Sequence, residues 1–339
     1  MIDKRRILAC YYPTTLVLVD DFQKFLKTFE LLLSSNYLCE SYQKPMEALQ
    51  MLENRERLNP LLQKWIQPAG NTEMIANSVG QKFLSINWAR LREQIYNIKR
   101  FAEVSVVLVD YAMPSIDGVR FCERLKNSPC KKIMVTGEAD YELAVRAFNA
   151  GIIDKFIRKN DDNFDVIVDD AVKEMQQQYF AELSSSVIDN LLFDQCCLLK
   201  DNVVHKLFED LCSENKIVEY YLVDGFGSYL LLDAYGVASL FIVRTEEELQ
   251  KYAEIAHDAD APAEIVQCLK KRECIPFFLT EEDEFVAPDD WKPYLHPSKT
   301  IMKTEGNFYY AFVKIPACYD IKKESIKSYN DYLKSLEPR

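Results

Sequence analysis

The stretch VSVVLVDYAMP at residues 104–114 decides the fold. Its first six residues form a short, largely apolar run, which is typical of a strand buried on both faces of a parallel sheet. This run ends at Asp110. A similar run, TLVLV at residues 15–19, ends at Asp20 and Asp21. The sequence therefore predicts two buried strands that each end in carboxylates.

Three further strands and the helices between them repeat this pattern. Strands are predicted at residues 37–41, 132–135 and 155–157. Helices are predicted at 22–33, from Pro45, from about Val119 and at 141–149. Five strands that alternate with helices predict an α/β fold with a five-stranded, doubly wound parallel sheet.

Polar residues fall at the ends of these predicted strands. Ligands of such sheets bind beyond the carboxyl ends of the strands. The residues found there are Asp20, Asp21, Asp110, Thr136 and Lys159. Converging carboxylates repel each other unless a cation lies among them, and oxygen ligands without imidazole or thiol suit Mg²⁺. A carboxylate beside Mg²⁺ can attack phosphorus, while a lysine and a hydroxyl stabilise the phosphoryl oxygens.

Taken together, the strand-end motifs resemble the receiver domain of two-component response regulators, which has a flavodoxin-like fold. The motifs occur in the family's order and lie within about residues 14–180. The matching segments are Val19-Asp20-Asp21, Val109–Pro114, Asp117-Gly118, Val135-Thr136-Gly137 and Phe156–Lys159.

The resemblance implies a role for each site residue. Asp110 would accept a phosphoryl group from a sensor histidine kinase, with Thr136 and Lys159 in contact with that group. Phe156 would be the aromatic switch residue. The Mg²⁺ ligands would be Asp20, Asp21, Asp110 and the backbone carbonyl of Ala112. Such a protein is a phospho-acceptor rather than an enzyme, with slow autodephosphorylation at most, and phosphorylation is expected to promote homodimerisation.

Two features depart from the family pattern. Asn160 follows Lys159 where the family usually has proline, so we expect a differently shaped loop. A helical insertion is predicted at about residues 55–103, with no strand in it. Apolar residues at near-helical spacing over 81–101 predict an amphipathic helix packed on the domain. Its basic residues leave nucleic-acid or lipid binding as an alternative for this segment.

The sequence predicts three parts of the chain. Residues 1–164 are predicted to form the receiver domain, and residues 165–200 a helical linker that either covers the receiver or pairs two chains as a coiled coil. Residues 201–339 are predicted to form an α+β output domain with an antiparallel sheet. Its predicted strands are 219–223, 228–232, 238–243 and 308–315, and Thr245 before three glutamates predicts the start of a helix.

The distribution of charge distinguishes between the possible functions of the output domain. The formal net charge is −12, and residues 185–339 alone carry −11. A DNA-binding domain normally presents a basic face. Direct nucleic-acid binding is therefore not expected, and the output partner is expected to be an unidentified protein or small molecule. Residues 220–278 also resemble an uncharacterised C-terminal domain of some bacterial response regulators that lack DNA-binding modules. Within that group, the whole chain resembles a quorum-sensing response regulator, which implies a quorum-sensing phosphorelay.

Other functions remain as alternatives. One is a DNA-binding transcriptional regulator, and another is a cryptic enzymatic output. A third is an aspartate-based phosphatase of the haloacid-dehalogenase type, in which the first-strand aspartate is attacked. That class needs D-x-D-x-[TV] after its first strand, and the DDFQ sequence at residues 20–23 lacks the spacing.

Cysteine usage and hydropathy predict the compartment. The ten cysteines are scattered without a C-x-x-C pair, which is typical of reduced cytoplasmic proteins. No apolar run approaches the ~18 residues of a membrane-spanning helix, so membrane insertion is not expected.

Overall fold

The structure, a computed structural model, describes most of the chain. The described residues are 7–34, 36–58, 66–68, 84–137, 141–188, 198–279, 290–302, 306–315, 319 and 321–336. Among them, no helix combines the length and the apolar character that a bilayer crossing requires.

Strands and helices follow one another along the chain in a mixed order. The strands are β1 (Cys10–Tyr11), β2 (Thr15–Val19), β3 (Leu38–Tyr42), β4 (Ile66–Pro68), β5 (Leu84–Ile86), β6 (Val104–Asp110), β7 (Lys131–Thr136), β8 (Lys155–Arg158), β9 (Ile217–Leu222), β10 (Tyr229–Asp233), β11 (Ala238–Thr245), β12 (Cys274–Pro276), β13 (Leu295–Pro297), β14 (Lys299–Ile301) and β15 (Phe308–Lys314). The α-helices are α1 (Gln23–Ser34), α2 (Pro45–Leu58), α3 (Trp88–Arg92), α4 (Gly118–Arg124), α5 (Tyr141–Asn149), α6 (Phe164–Ile188), α7 (Asn202–Glu214), α8 (Glu246–Asp258), α9 (Ala263–Lys270) and α10 (Tyr329–Leu336).

The five strands predicted for the first half form one parallel sheet in the order β3-β2-β6-β7-β8. Helices α1 and α6 cover one face, where Phe29 and Val172 join the core. Helices α2, α4 and α5 cover the other face, where Leu49, Phe121 and Ala144 are buried. The predicted fold class, a doubly wound α/β sheet, is confirmed.

A second sheet contains six antiparallel strands in the order β1-β9-β10-β11-β15-β14. The antiparallel sheet predicted for the C-terminal half is thereby confirmed. Helix α8 begins after Thr245 as predicted, and Thr245 and Glu248 form a capping box there. Strand β1 comes from the N-terminal segment, where Cys10 pairs with Tyr221. The N-terminal segment thus extends the output sheet before the chain enters the receiver sheet.

The insertion differs from the single helix predicted over residues 81–101. Residues 81–83 lie outside the described residues. The chain then forms β5, α3 and two 3₁₀ turns at Glu93–Tyr96 and Ile98–Ala102, with β4 pairing antiparallel to β5. The prediction of no strand in the insertion was therefore wrong. Leu91 and Ile95 are buried in the core of the six-stranded sheet, which explains the apolar spacing without a continuous helix.

A buried ion pair joins the insertion to the second sheet. Arg100 donates from Nε and Nη2 to the two carboxylate oxygens of Glu219, both at 2.8 Å, and neither side chain is exposed. The hydroxyl of Tyr221 also donates to Glu219. Further guanidinium bonds reach the carbonyls of Asn97 and Lys327. Because every partner is satisfied, this contact fixes the segment that leads into β6.

A second buried polar contact lies at the start of the same strand. Glu103 accepts hydrogen bonds from the hydroxyls of Tyr12 and Tyr179. Tyr12 follows β1, and Tyr179 lies on α6, whose earlier residues pack on the receiver sheet. The two sheets are consequently connected through β1, through β6 and through α6.

Removing one partner of the buried pair should leave an uncompensated charge. We predict that Arg100→Met lowers the free energy of unfolding by about 3–5 kcal/mol. The control is Arg124→Met, because Arg124 pairs with Glu53 at the surface and such pairs contribute about 0–1 kcal/mol. Urea unfolding followed by circular dichroism measures both variants. An equal decrease in the free energy of unfolding of both variants would contradict the role assigned to Arg100.

Candidate phosphoryl-acceptor site

Three carboxylates meet at the carboxyl edge of the parallel sheet. Asp20 and Asp21 follow β2, and Asp110 ends β6, the neighbouring strand in the sheet. One oxygen from each lies within 4.8 Å of the others, and Asp20 and Asp110 are buried. An all-oxygen donor set of this size fits Mg²⁺, which is held by one or two carboxylates and keeps several waters.

Lys159 supplies a cation to this cluster. Its Nζ lies 2.6 Å from Oδ2 of Asp20 and 2.8 Å from Oδ1 of Asp110. Its backbone N–H donates to the carbonyl of Thr136, which extends the pairing of β7 with β8 by one residue. With Asn160 in the position usually taken by proline, the loop still brings Lys159 to the carboxylates.

The pKa values of Asp110 and Lys159 are set by burial and by neighbouring charges. Burial raises the pKa of Asp110, and the charges of Asp20 and Asp21 raise it further, while Lys159 acts in the opposite direction. Burial alone would lower the pKa of Lys159, but the hydrogen bonds and charges of Asp110 and Asp20 outweigh it and raise that pKa. The lysine is therefore held as a cation beside Asp110, a carboxylate that burial makes costly to ionise.

Thr136 lies on β7, the strand next to Asp110, and Phe156 lies on β8, the strand beyond it. Asp110 pairs with Val135, so Thr136 is one residue further toward the carboxyl edge. Thr136 is fully buried, and its hydroxyl donates to the carbonyl of Gly137 at 3.1 Å. Phe156 is half-buried against the rings of Tyr141 and Phe148, with centroid distances of 5.4 and 5.9 Å.

The loop after Asp110 includes Ala112 and is held close to the strand end by Gly118. The backbone N–H of Gly118 donates to the carbonyl of Tyr111 at 2.9 Å. A Cβ added at Gly118 would lie 2.4 Å from the carbonyl oxygen of Asp110. Glycine is therefore required sterically at this position, and Asp117 caps α4 by accepting from the N–H of Arg120.

One contact at the site was not anticipated. The ammonium of Lys159 lies 4.3 Å from the centre of the Phe25 ring, a cation–π geometry. Phe25 belongs to the apolar stripe of the first helix, and its position one turn after Asp21 was the available signal. The structure thus places the predicted strand-end residues at one edge of the sheet, brings Lys159 into contact with Asp20 and Asp110, and adds an aromatic side chain on α1.

Comparison with known proteins assigns the family. The family model described as the response regulator receiver domain matches residues 69–169, which include Asp110, Thr136 and Lys159. The structure of the Legionella pneumophila response regulator LqsR matches with 32% identity over 98% of this chain and 96% of that chain, at a TM-score of 0.78. This chain is a response regulator.

Other matches cover about half of the response regulator. One is the adenylate cyclase from Rhodopirellula baltica, with 19% identity over 52% of this chain and 96% of that chain, at a TM-score of 0.35. Another is a signal receiver domain of an HD domain-containing protein from Pseudomonas fluorescens Pf-5, with 19% identity over 54% and 95%, at a TM-score of 0.34. No curated protein matches the sequence significantly.

The contact between Gly118 and Asp110 generates a prediction. Gly118→Ala should force the loop or strand end to move, because its Cβ has no space, and should cost about 1–3 kcal/mol. Gly137→Ala is the matched control, since a Cβ there meets nothing within 4 Å, and we expect a change within about 0.5 kcal/mol. Thermal unfolding compares them, and a control as destabilised as Gly118→Ala would refute the steric argument.

The raised pKa of Asp110 generates a pH-dependent prediction. Because the folded chain binds this proton more tightly than the unfolded chain, the stabilising contribution of protonated Asp110 is lost as pH rises through its folded-state pKa. In metal-free buffer Asp110→Asn should therefore be more stable than the wild type at neutral pH, with the gain shrinking as pH falls.

Urea unfolding across pH 4 to 8 measures this difference, on the order of 1 kcal/mol for each pKa unit. Asp170→Asn, an exposed change on α6, should show no such trend. A less stable Asp110→Asn at neutral pH would contradict the prediction.

Proposed function

We propose that this response regulator works in a two-component phosphorelay, receiving a phosphoryl group on Asp110 from a sensor histidine kinase. The observation that carries the proposal is the position of Lys159, whose Nζ contacts both Asp20 and Asp110. A buried carboxylate with a cation at hydrogen-bond distance, at the ligand-binding edge of a parallel sheet, is suited to nucleophilic attack on phosphorus.

The chain's own groups account for most of the proposed chemistry. An Asp110 carboxylate oxygen forms the new O–P bond while the N–P bond of the donor phosphohistidine breaks, and the histidine nitrogen leaves with the electron pair. Lys159 neutralises charge on the phosphoryl oxygens. Thr136 turns its hydroxyl from the carbonyl of Gly137 toward the phosphoryl group.

Mg²⁺ belongs to this proposal as the cofactor. The residues that would hold it are Asp20, Asp21, Asp110 and the carbonyl of Ala112, and the bound ion would neutralise phosphoryl charge. The three carboxylates fit this role because their oxygens converge and no imidazole or thiol accompanies them in the cluster.

The output is proposed to be a change in homodimerisation or in binding to a protein or small molecule, rather than direct contact with nucleic acid. The charge of −11 in residues 185–339 supports this. Phe156, packed against Tyr141 and Phe148, is the proposed switch aromatic. The match to the response regulator LqsR over nearly the whole chain supports a role in two-component signalling. A cytoplasmic location and a quorum-sensing phosphorelay are further parts of the proposal. The boundaries at residues 164 and 200 remain part of the proposal.

Phosphorylation by acetyl phosphate in the presence of Mg²⁺ provides the test. Intact mass should rise by one phosphoryl group in the wild type and in Asp170→Asn, a matched change far from the carboxylates in sequence. Asp110→Asn should stay unmodified, and chelation of Mg²⁺ should abolish the wild-type reaction.

Two results would overturn the proposal. One is modification of Asp110→Asn to the same extent as the wild type. The other is an unmodified wild type both with acetyl phosphate and with purified phosphorylated histidine kinases as donors.

A further inference from the structure

A cleft of about 720 Å³ lies between the two sheets, away from the carboxylate cluster. Helix α6 and Tyr37, which precedes β3, line it on the receiver side. Helix α7, β9 and the N-terminal segment around Tyr11 line it on the output side. Ligand sites commonly have volumes of about 300–1,000 Å³ and occur at domain interfaces. Its volume and position therefore suit a small molecule.

The receiver-side wall is built around one carboxylate of α6. Asp169 accepts a hydrogen bond from the hydroxyl of Tyr37 at 2.9 Å and pairs with Lys173 at 2.5 Å. These contacts tie the start of β3 to α6. The wall is consequently formed before any ligand arrives, which reduces the entropy cost of binding.

The output-side wall is aromatic. The rings of Tyr11 and Tyr220 stack at 5.9 Å, and Phe208 packs edge-on against Tyr220 at 5.0 Å. All three line the cleft. This wall offers a flat apolar surface for the body of a ligand.

The charged side chains of the lining already have partners. Lys173 pairs with Asp169, and Glu174 lies 2.6 Å from Lys155. Glu209, whose side chain is two-thirds exposed to solvent, lies 3.4 Å from Nδ1 of His205. A charged ligand would have to lose its hydration without gaining a free counter-ion in the lining, which is costly.

Neutral hydrogen-bonding groups of the lining remain available. The hydroxyls of Tyr11 and Tyr220 and the amides of Gln177 and Gln178 have no hydrogen-bond partner in the described part of the chain. These groups both donate and accept. They complement a hydroxyl, carbonyl or amide of an uncharged molecule.

We propose that this cleft binds an uncharged, amphipathic small organic molecule, with its apolar body against Tyr11, Phe208 and Tyr220 and its polar group at Gln177 and Gln178. Such a ligand contacts α6 on one side and α7 on the other. Its binding would therefore stabilise one arrangement of the receiver and output sheets. The proposal does not depend on the phosphorylation of Asp110.

Two dyes with the same aromatic skeleton test the ligand class on the full chain. N-phenyl-1-naphthylamine is neutral, and 8-anilinonaphthalene-1-sulfonate adds one negative charge. The neutral dye should show saturable fluorescence enhancement at one site, and the sulfonate should bind at least tenfold more weakly. Hydrogen–deuterium exchange should slow at residues 173–181 and 205–212 when the neutral dye is present.

Two substitutions test the location. Ala181→Trp and Gln178→Trp place an indole in the lining and should each weaken the neutral dye at least tenfold. Ala150→Trp, at an exposed position after α5, is the control and should bind as the wild type does. Circular dichroism checks that each variant is folded. If a variant is unfolded, hydrogen–deuterium exchange of the wild-type protein with the neutral dye locates the binding site instead.

Three results would overturn the proposal. Absence of saturable binding, or exchange protection elsewhere in the chain, would exclude the cleft. Unchanged affinity in folded lining variants would do the same. Equal affinity for the sulfonate would exclude an uncharged ligand class.

Discussion

Asp20 and Asp110 are buried side by side, and Lys159 is the cation that compensates them. Burial disfavours the ionised form of a carboxylate, and a second carboxylate nearby disfavours it again. The lysine contacts both at hydrogen-bond distance and packs over the ring of Phe25. Asp20 and Asp110 meet because β2 and β6 are neighbouring parallel strands, and Lys159 reaches both from the end of β8, which β7 separates from β6.

Two elements run from this edge to the output sheet. Strand β6 ends at Asp110 and begins four residues after Arg100, which is bound to Glu219 in the second core. Helix α6 begins four residues after Asn160, and its later residues Tyr179 and Phe180 are buried with that core. The carboxylate edge is therefore connected to the second sheet through both elements. The cleft lined by α6 and α7 lies beside one of them.

Much of the receiver sheet is predictable from the sequence because its strands are short apolar runs closed by polar residues. Each predicted strand matches the observed one to within one residue at either end. Strand β1 has two residues, too few for any periodicity to indicate it. The insertion has helical spacing but is broken at Asn97, which caps the following 3₁₀ turn and allows Arg100 to reach Glu219. That contact joins residues far apart in the chain.

The candidate site was more predictable from the sequence than the cleft. Site residues end consecutive strands, so a local pattern locates them. The cleft is assembled from Tyr11, Tyr37, Gln178 and Phe208, which share no motif. Phe25 was partly predictable. The apolar spacing of its helix is visible in the sequence, but its contact with Lys159 depends on the loop after β8.

The most direct measurement is the location of the phosphoryl group on the chain. After phosphorylation by a purified histidine kinase, borohydride reduction converts an aspartyl phosphate to homoserine, which peptide mass mapping assigns to one residue. We expect homoserine at Asp110 alone. Homoserine at Asp20 or Asp21 would indicate first-strand chemistry of the phosphatase type, and its occurrence at any residue other than Asp110 would contradict the account.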